Sequence, residues 1–179
     1  MLVRRLTATL LFSFFLFLNS SQATEKETGL YQFNSHGGGA ANPTGGLLMD
    51  RAGTLYGATL SGTIFEFSPN GSGGWNYREL CACGTSYSFG SLVMDQSGNL
   101  YGATMSGGVH EGLNGKGTIF RLTPQSDGSW TESMLFSFNG ANGEGPQWGQ
   151  LIMDASGNLY GGAKTGGANG DGAIFKITP

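Results

Sequence analysis

Charged residues are scarce in this sequence, and basic residues are the scarcer kind. Charged residues make up 12% of the 179 positions, and residues 24–179 hold seven Lys and Arg against twelve Asp and Glu. Because nucleic acids and anionic membrane surfaces are bound by basic faces, neither is expected as a partner. The two histidines, His36 and His110, lack a second histidine or cysteine at metal-ligand spacing. We therefore predict no metal site and no cofactor.

Long apolar runs are also missing, apart from one near the N-terminus. Leu6–Leu18 is a run of thirteen mostly apolar residues, whereas a membrane span needs roughly 18. The run follows Arg4 and Arg5, and Ser21-Gln22-Ala23 places small residues where an export peptidase cleaves. We predict that residues 1–23 are a signal peptide. Residues 24–179 are then a secreted domain, extracellular or periplasmic, with no membrane span after signal removal.

Glycine is abundant, with 33 residues, and it separates short apolar runs that recur in three copies. The copies open with Leu47–Asp50, Leu92–Asp95 and Leu151–Asp154. Each copy also contains a Gly-x-Ile-Phe run. The phenylalanine of this run recurs every 55 residues, as Phe65, Phe120 and Phe175. This self-similarity indicates tandem repeats.

Each copy is predicted to form four short strands, a to d. An Asp-x-x-Gly turn joins strand a to a Leu-Tyr-Gly strand b, because aspartate accepts backbone N–H bonds and glycine adopts positive φ. In strand c of the second copy, Phe120 and Leu122 alternate with Ile119 and Arg121, a period of two. A Trp six residues after the proline that ends strand c opens strand d.

The two chain ends predict how the repeats assemble. Leu30–Asn34 resembles the strand d segment Leu135–Asn139, and the sequence stops after a strand c. We predict an all-β, propeller-like fold of three four-stranded antiparallel blades, at about 43–90, 91–145 and 146–179. The N-terminal strand 29–34 is predicted to complete the last blade, which would protect both sheet edges. Because propellers usually have 4–8 blades, three alternatives stay open: a truncated fragment of a longer protein, a six-bladed dimer, or an open stack.

The repeat resembles the GloVer (Gloeo/Verruco) family of exported bacterial tandem-repeat proteins. The resemblance covers residues 43–179 and implies export and a propeller-like fold, but it implies no catalytic residue. The matching residues in the second copy are Asp95, Gly98, Asn99, Leu100, Tyr101, Gly102, Gly107, Gly108, Gly117, Thr118, Phe120, Leu122, Pro124, Trp130, Leu135, Ser137 and Phe138.

The connections that vary between copies predict a binding surface. From the Tyr of strand b to the Phe of strand c the spacing is 9, 19 and 15 residues. In a four-stranded blade the b–c and d–a loops lie at the same end, and variable loops on a constant scaffold are typical of binding sites. The candidate ligand-binding residues in these loops are His36, His110, Glu111, Glu144, Trp148 and Asp171.

Three other patterns favour structural roles. Asp95 heads a stretch that is similar to a calcium loop but lacks the further acidic oxygens, so a turn aspartate is expected. Tyr56, Tyr101 and Tyr160 recur at one strand position, which favours packing between blades over a sugar-stacking row. Cys81 and Cys83, at the positions of two core phenylalanines, are interpreted as buried free thiols. A bridge across two residues would be strained, while a link to another chain stays an alternative.

Function is the least determined property. The leading hypothesis is a non-catalytic exported module that binds glycans, peptides or another surface protein, and that self-associates if the six-bladed dimer forms. The alternative is a polysaccharide lyase or hydrolase, which needs convergent carboxylates. Glu111, Glu144 and Asp171 are assigned to different repeats and are expected to meet only if the ring closes.

Overall fold

The computed structural model describes residues 27–33, 41–82, 90–109, 115–146 and 150–179. All regular secondary structure in these ranges is β-strand, arranged in three antiparallel sheets of four, four and three strands. None of the described residues forms a helix long and apolar enough to cross a membrane. The prediction of an all-β chain is confirmed.

The strands follow chain order within each sheet, as the repeat predicts. The first sheet contains β1 (Pro43–Met49), β2 (Leu55–Thr59), β3 (Thr63–Pro69) and β4 (Trp75–Ala82). The middle sheet contains β5 (Val93–Met94), β6 (Leu100–Thr104), β7 (Thr118–Pro124) and β8 (Trp130–Ser137). The third sheet contains β9 (Ile152–Met153), β10 (Leu159–Ala163) and β11 (Ala173–Ile177).

Each sheet has two apolar faces, because side chains alternate along a strand. The face that carries Phe65, Phe120 or Phe175 is called the Phe face, and the face that carries Tyr56, Tyr101 or Tyr160 is called the Tyr face. In β7, Phe120 belongs to the Phe face and Ile119 to the Tyr face, and they are 1% and 0% exposed. The predicted alternation in this strand is confirmed.

The sheets are stacked Tyr face to Phe face. Tyr56, Ala58 and Ile64 on the Tyr face of the first sheet form one core with Leu100 and Phe120 on the Phe face of the middle sheet. The Tyr face of the middle sheet forms an equivalent core with the Phe face of the third sheet. The same type of interface therefore occurs twice, on opposite faces of the middle sheet.

A glycine in strand b of each sheet lets a phenylalanine lie flat against the backbone. A Cβ on Gly57, Gly102 or Gly161 would lie closer than 3.0 Å to the phenylalanine ring of strand c in its own sheet. The Tyr-Gly pair of the repeat thus has a packing reason, since any side chain at the glycine would displace the ring.

The N-terminal segment does not complete the third sheet, contrary to prediction. The third sheet has three strands, and the described part of the segment, residues 27–33, forms no strand. Instead Tyr31 stacks on Tyr77 with ring centroids 4.6 Å apart, and Phe33 meets Phe65 edge to face at 5.1 Å. Burial of aromatic surface on the Phe face of the first sheet thus positions the segment, because neither of the other two described sheets covers that face.

The propeller-like arrangement stays a prediction. The described residues give three stacked sheets without a closed barrel. The outer faces of the stack differ sharply. The segment with Tyr31 and Phe33 covers part of the first sheet, while Ile152 and Ile174 on the Tyr face of the third sheet are 62% and 87% exposed.

Candidate functional site

The strand order places two kinds of connection at opposite ends of the sheets. The a–b and c–d turns lie at one end, here called the turn end, and the b–c and d–a loops lie at the other, the loop end. Because successive strands are antiparallel, this division holds for every sheet. The two candidate ligand-binding residues within the described ranges, Glu144 and Asp171, belong to the loop end.

At the loop end, three connections from two neighbouring sheets are joined by backbone hydrogen bonds. The amide of Gly145, in the loop between β8 and β9, donates to the carbonyl of Lys116 at 2.7 Å. The amide of Glu144 donates to the carbonyl of Thr165 at 2.8 Å, and the amide of Gly167 donates to the carbonyl of Gly140 at 2.8 Å. We call residues 115–117, 139–146 and 164–172 the loop cluster. These backbone hydrogen bonds hold the three loops of the cluster together.

Two of the candidate ligand-binding residues, Glu144 and Asp171, lie in this cluster. The backbone of Glu144 forms an isolated β-bridge with Thr165. The backbone of Asp171 forms another with Gly166, the residue after Thr165. Backbone pairing between adjacent sheets therefore places both residues in the loop cluster. The expectation that Glu111, Glu144 and Asp171 meet only if the ring closes stays a prediction, because Glu111 lies outside the described residues.

The Glu144 carboxylate pairs with a cation in the loop between β6 and β7. Its Oε2 lies 3.3 Å from Nζ of Lys116, and both side chains are about one-third exposed. A partly exposed pair of this kind contributes little to stability, but it fixes a negative and a positive group side by side on the surface. The other four candidates, His36, His110, Glu111 and Trp148, lie outside the described residues.

At the turn end, one aspartate organises each a–b turn. Oδ1 of Asp95 accepts the amides of Ser97 at 2.8 Å and Asn99 at 2.9 Å. Oδ2 accepts Nδ2 of Asn99 at 2.7 Å and the hydroxyl of Tyr101 at 3.0 Å. Gly98 closes the turn at φ 81°. The prediction that Asp95 is a turn aspartate is confirmed, since four donors occupy its carboxylate.

Asp154 repeats this arrangement in the third sheet, and its charge is strongly stabilised. The side chain of Asn158 donates to Oδ2 at 2.7 Å and the hydroxyl of Tyr160 donates to the same atom at 2.9 Å. Hydrogen bonds from Asn158, and then from Tyr160 and Ser156, lower the pKa of Asp154 to about 2.

Burial, together with the nearby Asp50 carboxylate, raises the pKa of Tyr56 in the first sheet to about 12.

Grooves run between neighbouring a–b turns, and sequence reasoning missed them. One groove of about 670 Å³ lies between the turns of the first and middle sheets and is lined by Met49, Arg51 and Gln96 among others. A second, of about 460 Å³, lies between the turns of the middle and third sheets and includes Met153 and Ser156. The recurrence of methionine before each turn aspartate was the signal that could have revealed them.

The recurring tyrosines have the predicted packing role where a neighbouring sheet is present. Tyr56 and Tyr101 are 7% and 4% exposed and belong to the cores between sheets. Tyr160 occupies the same position in the third sheet, where neither of the other two described sheets covers its face. There the ammonium group of Lys176 lies 5.7 Å from the ring centroid.

Cys81 was predicted to be a buried free thiol. This prediction was wrong, because Cys81 is disulfide-bonded. Its sulfur is half-buried and lies 3.8 Å from Oε2 of Glu132 in the middle sheet. A register shift between Ile64 and Phe65 leaves one extra residue in β4 immediately before Cys81. The other cysteine of the chain, Cys83, lies outside the described residues.

No group of three or more His, Cys, Asp or Glu side chains suited to a metal ion occurs in the part of the chain that the structure describes. The loop cluster offers a Lys–Glu pair, a second acidic residue and a rigid glycine-rich backbone. Chemically, these groups can donate and accept hydrogen bonds to a polar ligand.

Three stacked copies of one four-strand pattern, with fixed turns at one end and joined loops at the other, define an all-β tandem-repeat protein. The chain belongs to the Gloeobacter/Verrucomicrobia repeat family, whose family model matches residues 16–179. The recognition made from the repeat motif is thereby confirmed. A comparison with curated proteins found no match.

Proposed function

We propose that this chain is an exported, non-catalytic binding module whose ligand is held at the loop cluster. The observation that carries the proposal is the set of backbone hydrogen bonds that ties the loop of Gly145 to those of Lys116 and Thr165. Binding residues are commonly carried by loops that a rigid scaffold positions. Here the loops also position one another, so little conformational freedom would be lost on binding.

Export is supported by the order of features in residues 1–23: a basic start, a short apolar run and small residues before the proposed cleavage point. The prediction is cleavage after Ala23 and release of the processed chain from the cytoplasm. Expression of the full-length sequence, followed by N-terminal sequencing of protein from the periplasm and the medium, tests it. A chain that keeps Met1 and stays in the cytoplasm would contradict export.

The ligand class that fits these groups best is a polysaccharide. Lys116 and Glu144 place donor and acceptor groups side by side, and Asp171 adds a further acceptor in the same cluster. Vicinal hydroxyl groups of sugars donate and accept at once, so they match such a mixed set. The acidic balance of residues 24–179 disfavours polyanions, and a neutral polysaccharide is therefore proposed.

Affinity electrophoresis through gels containing neutral polysaccharides, with acidic ones in parallel, tests the proposal. The double substitution Glu144→Gln and Asp171→Asn should abolish the retardation seen with the unsubstituted chain. Asp127→Asn is the matched control, since it removes one carboxylate charge from a c–d turn at the turn end and should leave retardation unchanged. Equal retardation of both variants would place binding elsewhere on the molecule.

A polysaccharide hydrolase or lyase is the second candidate, and one observation favours it. Backbone bridges join Glu144 and Asp171 to consecutive residues of one loop, and two carboxylates that converge on a glycosidic bond can carry out acid–base cleavage. Release of reducing sugars or unsaturated products from the retarded polysaccharide distinguishes the candidates. Product formation that disappears in the Glu144→Gln, Asp171→Asn variant would replace binding with catalysis, whereas retention without product supports binding.

A further inference from the structure

Among the described residues, the third sheet lacks two features of the other two sheets: a neighbouring sheet over its Tyr face and a fourth strand beside strand c. On its Tyr face Ile174 is 87% exposed, while the equivalent Ile64 and Ile119 are 1% and 0% exposed. Its edge strand β11 pairs with β10 on one side, and no described strand pairs with its other side. In the first and middle sheets, strand c pairs on that side with a strand d. The third sheet is thus short of one covering sheet and one strand.

The first sheet has the complementary gap. On its Phe face Leu47 is 58% exposed, while the equivalent Leu92 and Leu151 are each 3% exposed. Those two leucines are buried because the Tyr face of the preceding sheet lies over them. The two outer faces of the stack are therefore the two halves of an interface that the molecule already forms twice.

The N-terminal segment sits on the first sheet as a strand d sits on the sheet that follows it. Phe138, at the end of β8, meets Phe175 of the third sheet with ring centroids 5.1 Å apart and an interplanar angle of 64°. Phe33 meets Phe65, the equivalent of Phe175, at 5.1 Å and 60°. The segment thus occupies the place of a strand d, although it pairs with none of the three described sheets.

The internal geometry of the segment agrees as well. Tyr31 and Phe33 are edge to face at 5.1 Å and 83°. Phe136 and Phe138, which align with them in sequence, are edge to face at 5.0 Å and 80°. Two independent ring pairs thus match, one within the segment and one between the segment and the sheet below it.

We propose that the third sheet of one copy docks by its Tyr face on the Phe face of the first sheet of a second copy. The N-terminal segment of the second copy then pairs with β11 as the missing fourth strand. The occupant is a second copy because its outer face carries the residues that cover Ile64 and Ile119 inside the chain. The contact uses different surfaces of the two partners, and two such contacts close a dimer of six sheets.

The pairing of the middle sheet gives the register between copies. In that sheet Ile119 lies opposite Phe136, and Thr118 lies opposite Ser137. The equivalent pairs between copies are Ile174 with Tyr31 and Ala173 with Gln32. Strand exchange of this kind hides the exposed edge of β11.

Solution mass tests the docking. Sedimentation equilibrium of the chain purified after expression of the full-length sequence should give a dimer. Ile174→Glu and Leu47→Glu each place a charge in the interface and should weaken the dimer at least about tenfold. Because both side chains are exposed in the single copy, the variants should keep their circular dichroism spectra. Val109→Glu is the matched control, since Val109 is 71% exposed and lies in a loop, and it should remain dimeric.

A mixture of the two interface variants separates this arrangement from others. In an equimolar mixture, the intact Tyr face of Leu47→Glu can meet the intact Phe face of Ile174→Glu, so one of the two contacts is restored. The mixture should therefore associate more tightly than either variant alone. A monomer for the unsubstituted chain at all concentrations, or no gain on mixing, would overturn the proposal.

Cysteine pairs test the register. When Ala173→Cys and Gln32→Cys chains are mixed and oxidised, a disulfide-linked heterodimer should form, because directly opposed residues in antiparallel strands lie within disulfide reach. Val109→Cys mixed with Gln32→Cys is the control and should not cross-link. Cross-linking of Ala173→Cys to itself would show β11 pairing with β11 instead, which would also overturn the proposal. Polysaccharide binding plays no part in either readout.

Discussion

The middle and third sheets are near copies in sequence, yet they have different surroundings. The middle sheet is covered on both faces, so Tyr101 and Ile119 are buried. Among the described sheets, a neighbour covers the third sheet on its Phe face only, so Tyr160 contacts Lys176 and Ile174 faces outward. The difference shows that the repeat specifies a sheet with two apolar faces. Whether a given face is buried depends on the number of neighbours, which the repeat unit does not encode.

The largest effect is expected when isoleucine is replaced by alanine at equivalent positions of the middle and third sheets. Ile119→Ala should lower the free energy of unfolding by about 2–5 kcal/mol, because it empties a fully buried site. Ile174→Ala should change it by less than about 0.5 kcal/mol, since the side chain is exposed in the single copy. Urea unfolding at low protein concentration measures both, with Ile64→Ala as a second buried reference. Equal losses at Ile119 and Ile174 would contradict the described difference between the sheets.

Alanine substitution of the strand b glycines should instead destabilise the middle and third sheets equally, because a neighbouring sheet covers the Phe face of each. Gly102→Ala and Gly161→Ala should each lower the free energy of unfolding by about 1–3 kcal/mol, since the added Cβ displaces Phe120 or Phe175. Gly162→Ala is the matched control. Its Cβ would meet only Ile174, at 3.8 Å, so thermal unfolding should show no loss. A tolerated alanine at Gly102 would refute the packing role of the glycine.

The a–b turns should respond equally in both sheets, as they do not depend on covering. Asn99→Thr and Asn158→Thr should each lower the free energy of unfolding by about 0.5–1.5 kcal/mol through loss of the amide hydrogen bond to the turn aspartate. The first sheet carries Thr54 at this position, so Thr54→Asn should raise the free energy by a similar amount. Denaturant titration measures all three. A destabilising Thr54→Asn would show that the turns are not equivalent.

The smallest effect concerns pH. The folded-state pKa of Asp154 is lowered to about 2 from 3.8. The unfolded chain therefore takes up a proton first as the pH falls, and the stabilisation present above about pH 4 is lost as the pH approaches 2. Asp154→Asn removes this titration. The difference in melting temperature between Asp154→Asn and the unsubstituted chain should shrink from pH 5 to pH 2, and a constant difference would argue against the ionised turn.

The three sheets could be derived from the sequence because the pattern repeats. The 55-residue spacing of Phe65, Phe120 and Phe175 reports equivalent strands, and the Asp-x-x-Gly signal reports the turn before each strand b. The position of the N-terminal segment could not be derived in this way. Its match to Leu135–Asn139 identifies a strand d type of sequence, but hydrogen bonding to an edge depends on which edge lies within reach.

The site was harder to derive than the fold. Variable spacing identified the loops that contain Glu144 and Asp171, but the bonds that join these loops run between backbone groups of glycine-rich segments. Backbone groups carry no residue-specific signal, so Gly145 and Gly167 could not be recognised as contact points. Cys81 shows a similar limit, since its position in strand d predicts burial but does not determine whether its sulfur is bonded.

The repeated Tyr-face to Phe-face interface has a consequence for how such a chain can grow. Duplication of one 55-residue unit, inserted in frame between residues 145 and 146, would create a sheet whose two faces already match their new neighbours. No compensating substitution would be needed at either junction, and the terminal faces would keep their chemistry. Copy number in this architecture can therefore change by simple gene duplication, and length becomes an evolvable property separate from the sequence of the unit.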